Sequence, residues 1–535
     1  MLYSAPRRYF VVFVELLSLT TFAFAQSVYQ AIAGNPEFIV LNRITHADLL
    51  LVVAVFNLAP AVVLFVAWWL LERWRPAAAD SLLSACFLLL LTPFLLELHK
   101  TYLSPVLRFS HNTVLVALPL CLAGWVVFAY RAEFQRVLLV LSPLILVFPA
   151  WFLLRAWRQV SPPAGESGTA FSVARVTHDR QLPRPPVCLL ILDEFTRPAL
   201  LDDSGAIDAA RFPNFADFAR HSTWFTNATA NAEYTTRSIP VIVTGSFPRG
   251  NDPSDRAYPN NLFRLLAPDY DITVREVVTR FCVPGEYHCP DAERVARQGH
   301  LLWAVGELYL WRVAPKSVVL GIQGRDLRQE QGRFGGFLAG IRPGAGAKPM
   351  LQFMHLELPH APYLLRPDGS LHMVEPNSFE GRFAGDTVLL ERLRGDYVAQ
   401  IQYVDREFGE FLRKLKESGL YDQSLIIVTS DHGVSWKANA PGRVLSEANA
   451  DMIFPVPLFI KQPGQTEGRT STEDAQLIDV LPTIAAAVAI DPPWPVAGRN
   501  LFGADSPPRQ KIMIDASGRR FAYPQNFAAS PPAHN

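Results

Sequence analysis

Two small hydroxyls, Thr235 and Thr236, stand before an arginine and an apolar run in NAEYTTRSIPVIVTG, which ends at Gly245. A hydroxyl at a helix start can cap it, because its oxygen accepts an N–H of the first turn, and Thr236 and Ser238 suit that role. The same group becomes a nucleophile when a nearby divalent cation lowers its proton affinity. That second role needs carboxylates and imidazoles from elsewhere, and the chain places them at the ends of apolar runs. VCLLILDEF ends in Asp193 and Glu194, MLQFMHLELPHAPY carries His360, and SLIIVTSDHGVSW carries Asp431 and His432 followed by Gly433. Neighbouring carboxylates repel unless a cation lies between them. Hard oxygens joined by a borderline nitrogen suit one divalent ion, whether zinc, manganese, calcium or magnesium. Each group also has a plain reading: acids favour a helix start for its dipole, and an Asp-His pair is common in loops.

The elements that must position these groups alternate. Apolar runs of strand length recur, VPLFIK (456–461) among them, and DYVAQIQYVDREFGEFLRKLKESG repeats its apolar residues at helical spacing through Val398, Ile401, Val404, Phe408, Phe411 and Leu412. Strand–helix–strand alternation predicts an α/β domain with a central, largely parallel sheet flanked by helices. In such sheets chemistry gathers beyond the carboxyl ends of the strands, where all five polar groups fall.

The first part of the 535-residue chain is different. Five long, nearly uncharged stretches, 9–29, 49–71, 81–98, 113–130 and 137–154, each approach the ~20 residues a helix needs to cross a bilayer. Basic residues in the short loops favour one side: Arg7, Arg8, Arg73, Arg75, Arg131 and Arg136 against Arg43, Lys100 and Arg108. By the positive-inside tendency, five crossings leave the rest of the chain outside a cytoplasmic membrane. A rival reading treats the first stretch as a signal peptide ending near Ala23-Phe24-Ala25, and it too leaves the large domain outside. Glu15 lies within the first crossing, and Glu97, at the end of the third, is expected to reach water. Charges balance at 49 against 49, which argues against nucleic acid as a partner. The expected organisation is a five-helix transmembrane domain over 1–158, a Pro- and Gly-rich linker over 159–186, a catalytic domain over 187–515 and a C-terminal tail over 516–535. Cys282 and Cys289, close together in an external loop, suggest a local disulfide.

The ordered blocks LILDEF, TTRSIPVIVTG, HLELPHAPY, IIVTSDHG, VPLFIKQPGQ and LIDVLPTIAAAV, spread over residues 187–500, resemble the sulfatase-like branch of the alkaline phosphatase superfamily. With membrane crossings before it, the arrangement is similar to lipoteichoic acid synthases and lipid A phosphoethanolamine transferases. The resemblance implies that Asp193, Glu194, Asp431 and His432 hold a metal together with Thr235, the nucleophile in a T-x-x-S-x-P pattern. It implies that His360 contacts the transferred group or leaving oxygen. Arg237 either steadies the loop or holds an anionic oxygen, and Lys437 and Arg443 are candidates for an anionic head group. Two departures bear on function. Sulfatases proper oxidise a Cys or Ser nucleophile to an aldehyde, which Thr235 cannot give, and the transferases' further His after DHG has no counterpart here. The one Asp-x-x-x-His spacing, Asp368 to His372, sits in a turn-like stretch, so a single cation is expected. The implied activity is a metal-dependent hydrolase or transferase acting on phosphate-type esters of envelope lipids or glycans. The alternatives are a sulfatase-like ester hydrolase using water, and a catalytically silent membrane binding protein.

Overall fold

The computed structural model describes residues 5–98, 130–160, 184–291, 301–342, 348–372, 387–503, 508–515 and 518–523, apart from 36–37, 40–41, 43, 251, 315, 441 and 444 within those spans. The expected crossing at 113–130 and most of the expected linker lie outside the described residues. The chain divides into two compact units, Met1–Pro163 with Arg294–Val319, and Ala164–Glu293 with Leu320–Asn535.

The first unit is an N-terminal bundle in which four helical stretches, Arg7–Ala33, His46–Trp74, Pro76–Phe94 and Arg136–Val160, are long and apolar enough to cross a membrane. The chain is a multi-pass membrane protein. At one end of the bundle Arg8 pairs with Glu72 at 2.5 Å and with Asp80 at 3.6 Å. At the other end Ser27 donates to Glu97, and Gln159 Nε2 donates to the Ala33 carbonyl at 3.0 Å. Glu15 is buried inside the bundle. Glu97 meets a cation as well as Ser27: Arg312 Nη1 lies 3.1 Å from it. Arg312 belongs to a helix, Leu301–Val313, that lies in sequence within the α/β half yet folds as part of this unit.

The second unit is built on a seven-stranded sheet. In chain order the strands of this unit are β1 (Val187–Leu192), β2 (Thr223–Phe225), β3 (Ala228–Thr229), β4 (Asp271–Arg275), β5 (Met350–Leu356), β6 (Leu425–Ser430), β7 (Leu458–Lys461), β8 (Arg469–Ser471), β9 (Ala475–Gln476), β10 (Lys511–Ile514) and β11 (Arg520–Tyr523). The main sheet runs β4-β5-β1-β6-β7-β2-β8, while β3 pairs with β9 and β10 with β11. The block β4-β5-β1-β6 is parallel, but β7 is antiparallel to both β6 and β2, so the sheet is mixed. The expected parallel order fails at β7 for a reason of connection. Parallel neighbours need a long crossover, and between β6 and β7 the described chain holds only the one-turn helix Ala450–Ile453. The antiparallel β10–β11 pair places β11 within 516–535.

The central strands are apolar without alternation because both faces are covered. Val187, Leu189 and Ile191 of β1 enter one core with Ile239, Ile242 and Val243 of the helix Thr235–Thr244. Cys188, Leu190 and Leu192 enter the other with Tyr397, Ile401, Val404 and Phe408 of the helix Thr387–Glu417.

Just beyond β4, Glu276 is buried, and its carboxylate accepts the Cys282 N–H at 2.6 Å and the Thr279 hydroxyl. The loop it holds is closed by a disulfide between Cys282 and Cys289. Burial outweighs these hydrogen bonds and pushes the Glu276 carboxyl up to about 7. A folded-state value above the unfolded one means that the folded form keeps a proton which the unfolded form has released. This contribution is therefore full below the ordinary glutamate range and is lost as pH rises through about 7. Thermal unfolding of the full chain followed between about pH 5 and pH 8 should show a decline that Glu276→Gln flattens. Equal slopes in the two proteins would remove Glu276 as its source.

Candidate metal centre

Strand register brings the acids together. Leu192, the last residue of β1, pairs with Ser430, the last of β6, so Asp193 and Asp431 leave adjacent parallel strands side by side. The Asp193 N–H donates to the carbonyl of Leu356 at the end of β5, 3.0 Å away. Beyond it Glu194 adopts φ 59°, a left-handed conformation uncommon for a residue with a side chain. The turn is pinned on three sides. Glu194 N–H donates to Asp431 Oδ1 at 3.1 Å, Phe195 N–H to Ser430 Oγ at 2.8 Å, and the Tyr397 hydroxyl to the Glu194 carbonyl at 2.7 Å.

After Asp431 the backbone must pass close to its neighbours, and Gly433 allows it. A Cβ there would stand 3.0 Å from the Ile453 carbonyl oxygen and closer still to that of Met452. The result is a buried group of three ligand side chains, Asp193, Asp431 and His432, whose nearest donor atoms lie within 4.8 Å of one another. His432 Nδ1 lies 3.1 Å from the Gly433 carbonyl, which can only accept, so Nδ1 carries the hydrogen and Nε2 presents a lone pair to the group. Burial, followed by Arg443, pushes the His432 imidazole down to about 3, which leaves it neutral and fit to ligate. Burial, then the Asp431 and Glu194 charges, raise the Asp193 carboxyl well above the usual carboxylate range. Buried acids that repel in this way, with a neutral imidazole beside them, fit one divalent ion.

Thr235 is the first residue of its helix, and its hydroxyl reaches all three groups. Oγ1 lies 2.7 Å from Asp431 Oδ2, 3.4 Å from Asp193 Oδ2 and 3.5 Å from His432 Nε2. The capping role expected of Thr236 and Ser238 is not what the structure has. Tyr234 is the N-cap, and no side chain caps the helix. Ser238 Oγ instead donates to the Asp431 carbonyl at 2.6 Å, tying the Thr235 helix to the ligand loop.

The remaining expected site residues separate. Glu194 is not grouped with the three ligands: its Oε1 lies 2.8 Å from Arg443 Nε and 3.5 Å from His360 Nε2. Burial pushes its carboxyl up, but His360 and Arg443 pull it below the usual range. His360 and Arg443 are only partly buried, and the Arg443 guanidinium also lies over the Tyr234 ring. Arg237 Nη1 donates to the Asp515 carbonyl at 2.6 Å, as a loop support would. Lys437 pairs with Asp451 at 2.6 Å on the surface. Asp368 accepts from Ser370 N–H at 2.9 Å, holding a turn.

One residue at the site escapes sequence reasoning. His355 on β5 pairs in register with Ile191, is fully buried, and puts Nε2 3.6 Å from Asp193 Oδ2. Its only signal is an imidazole inside the apolar run MLQFMHL, two residues before the run turns polar.

A family model described as Sulfatase matches residues 337–490, less than a third of the chain. Lipoteichoic acid synthase 1 of Bacillus subtilis is 33% identical over 116 residues, 20% of this chain and 18% of that protein. Lipoteichoic acid synthase of Staphylococcus saprophyticus is 28% identical over 138 residues, 25% of this chain and 19% of that one. The match thus spans under a fifth of the length of these relatives. Among solved structures, phosphonate monoester hydrolases of Silicibacter pomeroyi and Agrobacterium radiobacter are 19% and 18% identical, with TM-scores of 0.42 and 0.41. They cover 62% and 59% of this chain, and 80% and 76% of their own. Neither is close enough to carry a property across.

The α/β unit carries a segment that matches the sulfatase family model and has a limited likeness to lipoteichoic acid synthases. It is an enzyme domain with a site for one divalent ion. Asp193→Ala, Asp431→Ala and His432→Ala should each lower bound metal from about one ion per chain to well under one, whereas Lys437→Ala should leave it unchanged. Elemental analysis of the purified full-length proteins checks this, and full occupancy in the three ligand variants would refute the site.

Proposed function

We propose that the chain is a membrane-bound transferase or hydrolase of phosphate-type esters on envelope lipids or glycans, with Thr235 as its nucleophile. The observation that carries this reading is the Thr235 hydroxyl within 3.5 Å of every member of the buried ligand group. A bound divalent ion would supply positive charge that lowers the proton affinity of that hydroxyl and offsets charge on the ester oxygens. Asp193, Asp431 and His432 would hold it.

The chain's own groups account for the rest. In the first step a bond forms between Thr235 Oγ1 and phosphorus while the bond from phosphorus to the leaving oxygen breaks. The hydroxyl proton passes to Asp431 Oδ2, 2.7 Å away. His360 Nδ1 donates to the Ala361 carbonyl, 2.6 Å away, and in the imidazolium form Nε2 carries the proton that the departing oxygen takes. Arg443 supplies a fixed positive charge for a nonbridging oxygen. In the second step an acceptor hydroxyl, or water, attacks phosphorus and gives its proton to His360 Nε2, while the bond from phosphorus to Thr235 Oγ1 breaks and Oγ1 regains its proton from Asp431 Oδ2.

Phosphate-type esters are favoured over sulfate esters because threonine cannot be oxidised to the aldehyde that sulfatases use. Lipid donors are favoured because the domain shares its chain with membrane-crossing helices, which raise the local concentration of a bilayer substrate. The distribution of basic residues between the short loops supports a cytoplasmic membrane with the α/β domain outside.

Incubating the full-length protein with native lipid extract and measuring intact mass should reveal an adduct at Thr235 whose mass names the transferred group. Thr235→Ala should lack the adduct and lose activity by at least about 10³-fold, a loss of the size expected for a covalent nucleophile. Unchanged turnover in Thr235→Ala would overturn the reading, and absence of both adduct and turnover in the unmodified protein would favour a silent binding protein. A labelled lipid donor separates transfer, which moves label to an acceptor, from hydrolysis, which frees the head group.

A further inference from the structure

Between β4 and β5 the chain leaves the α/β unit and contributes the helix Leu301–Val313, LLWAVGELYLWRV, to the membrane unit. One face of this helix is accounted for. Leu301 and Val305 are buried against Val28, Ile32 and Phe152 of the bundle, the Tyr309 hydroxyl donates to the Ala23 carbonyl at 3.0 Å, and Arg312 pairs with Glu97. The opposite face is apolar too. At helical spacing it presents Leu302, Trp303, Gly306 and Leu310, with Glu307 as its charged residue. Trp303 is 70% exposed, Leu310 43% and Leu302 42%. A helix that is apolar on both faces is a poor fit to water.

Three observations say what covers the outer face. The helix packs on helices that are themselves long and apolar enough to cross a membrane, so its outward side continues their surface. Its described part, 13 residues, is about 20 Å long, short of a hydrocarbon core of about 30 Å, and the sequence before it, RVARQGH (294–300), is too polar to extend an apolar span. Its partners Ala23, Ile32 and Glu97 lie toward the bundle end remote from the Arg8–Glu72 pair. At that end Trp157 also stacks on His46, with ring centroids 4.0 Å apart. Tryptophan and tyrosine concentrate where a bilayer meets water, because their rings are apolar in body and polar at one edge.

We propose that the helix Leu301–Val313 lies in the head-group region of the bilayer, with the Trp303–Leu310 face in direct contact with lipid. The α/β half would then carry its own membrane-lying helix, in addition to the crossings that precede it. The proposal concerns lipid contact alone and stands whether or not Thr235 is the nucleophile.

The test uses the full chain in vesicles of phosphatidylethanolamine and phosphatidylglycerol. Nitroxide labels are placed by Trp303→Cys and, separately, Leu310→Cys, in a Cys86→Ala, Cys188→Ala background that keeps the Cys282–Cys289 bridge and carries Cys121→Ala. Collisions with oxygen, which concentrates in lipid, are compared with those of a water-soluble nickel chelate. Val63→Cys on an exposed apolar face of the His46–Trp74 stretch is the lipid reference, and Ala206→Cys in an exposed turn of the α/β unit is the water reference. Both test labels should show an oxygen-to-nickel ratio above that of Ala206→Cys and toward that of Val63→Cys. A ratio equal to the water reference overturns the proposal. Exclusion of both reagents overturns it too, because a protein surface, such as a second copy of the chain, would then cover the face.

Discussion

Two carboxylates held next to each other away from water constrain everything around them. Unit charges about 4 Å apart repel by about 4 kcal/mol at an effective dielectric of 20, and burial adds a desolvation cost for each. Asp193 and Asp431 are both buried, and their surroundings treat them unequally. Asp431 accepts N–H bonds from Glu194 and His432 and an O–H bond from Thr235. Asp193 faces His355, His432 and the longer contact to Thr235, and it is the one pushed toward protonation, by burial and then by Asp431. A divalent ion relieves both costs at once, whereas a neighbouring arginine would relieve them only in part and would fill the space beside the hydroxyl. Arg443, the nearest candidate, is engaged with Glu194 instead.

The fold holds this arrangement with parts that have little to do with chemistry. The β1–β6 register fixes the two aspartates, and the β1–β5 register sets His355 beside them. Ser238 and Tyr397 donate their hydroxyls to backbone carbonyls of the turns and the Ser430 hydroxyl accepts the Phe195 N–H, so each loop is tied to another element. Behind β5 lies a buried ionic group. Arg333 binds Glu330 at 2.6 Å and Asp291 at 3.0 Å, while Glu330 accepts the Glu357 N–H at 2.9 Å. That group anchors the strand end from which both His355 and His360 issue. Ligand atoms fixed by backbone register and second contacts lose little entropy on binding an ion, which is how a rigid scaffold tunes a metal site.

Much of this was legible in the sequence, for identifiable reasons. An apolar run that ends in Asp-Glu or Asp-His announces a buried strand and its functional end, and the parallel register then leaves little freedom in where Asp193 and Asp431 meet. Reach is what the sequence does not encode. Glu194, next to Asp193, turns toward His360 and Arg443 because the chain beyond β1 bends there into a left-handed conformation. Lys437 follows the ligand loop closely in sequence but finds Asp451 at the surface. His355 hid in an apolar context, and the antiparallel direction of β7 goes with a connection that holds only a one-turn helix among its described residues, which periodicity did not reveal. The membrane half was read from composition alone. The helix Leu301–Val313 was missed because a mostly apolar stretch of 13 residues falls short of a crossing and lies inside the α/β half.

That misplaced helix bears on how the catalytic sheet is completed. β1 and β5 are neighbours in the parallel block, yet the chain between Leu192 and Met350 includes the residues that join the membrane unit. Pairing β5 with β1 therefore closes a long loop, and the entropic cost of closure is met before the contacts that reward it form. The helix Leu301–Val313 lies within that loop, so the same stretch of chain both closes the sheet and supplies a segment that folds with the other unit. The strand that delivers His355 and His360 is the one that follows it.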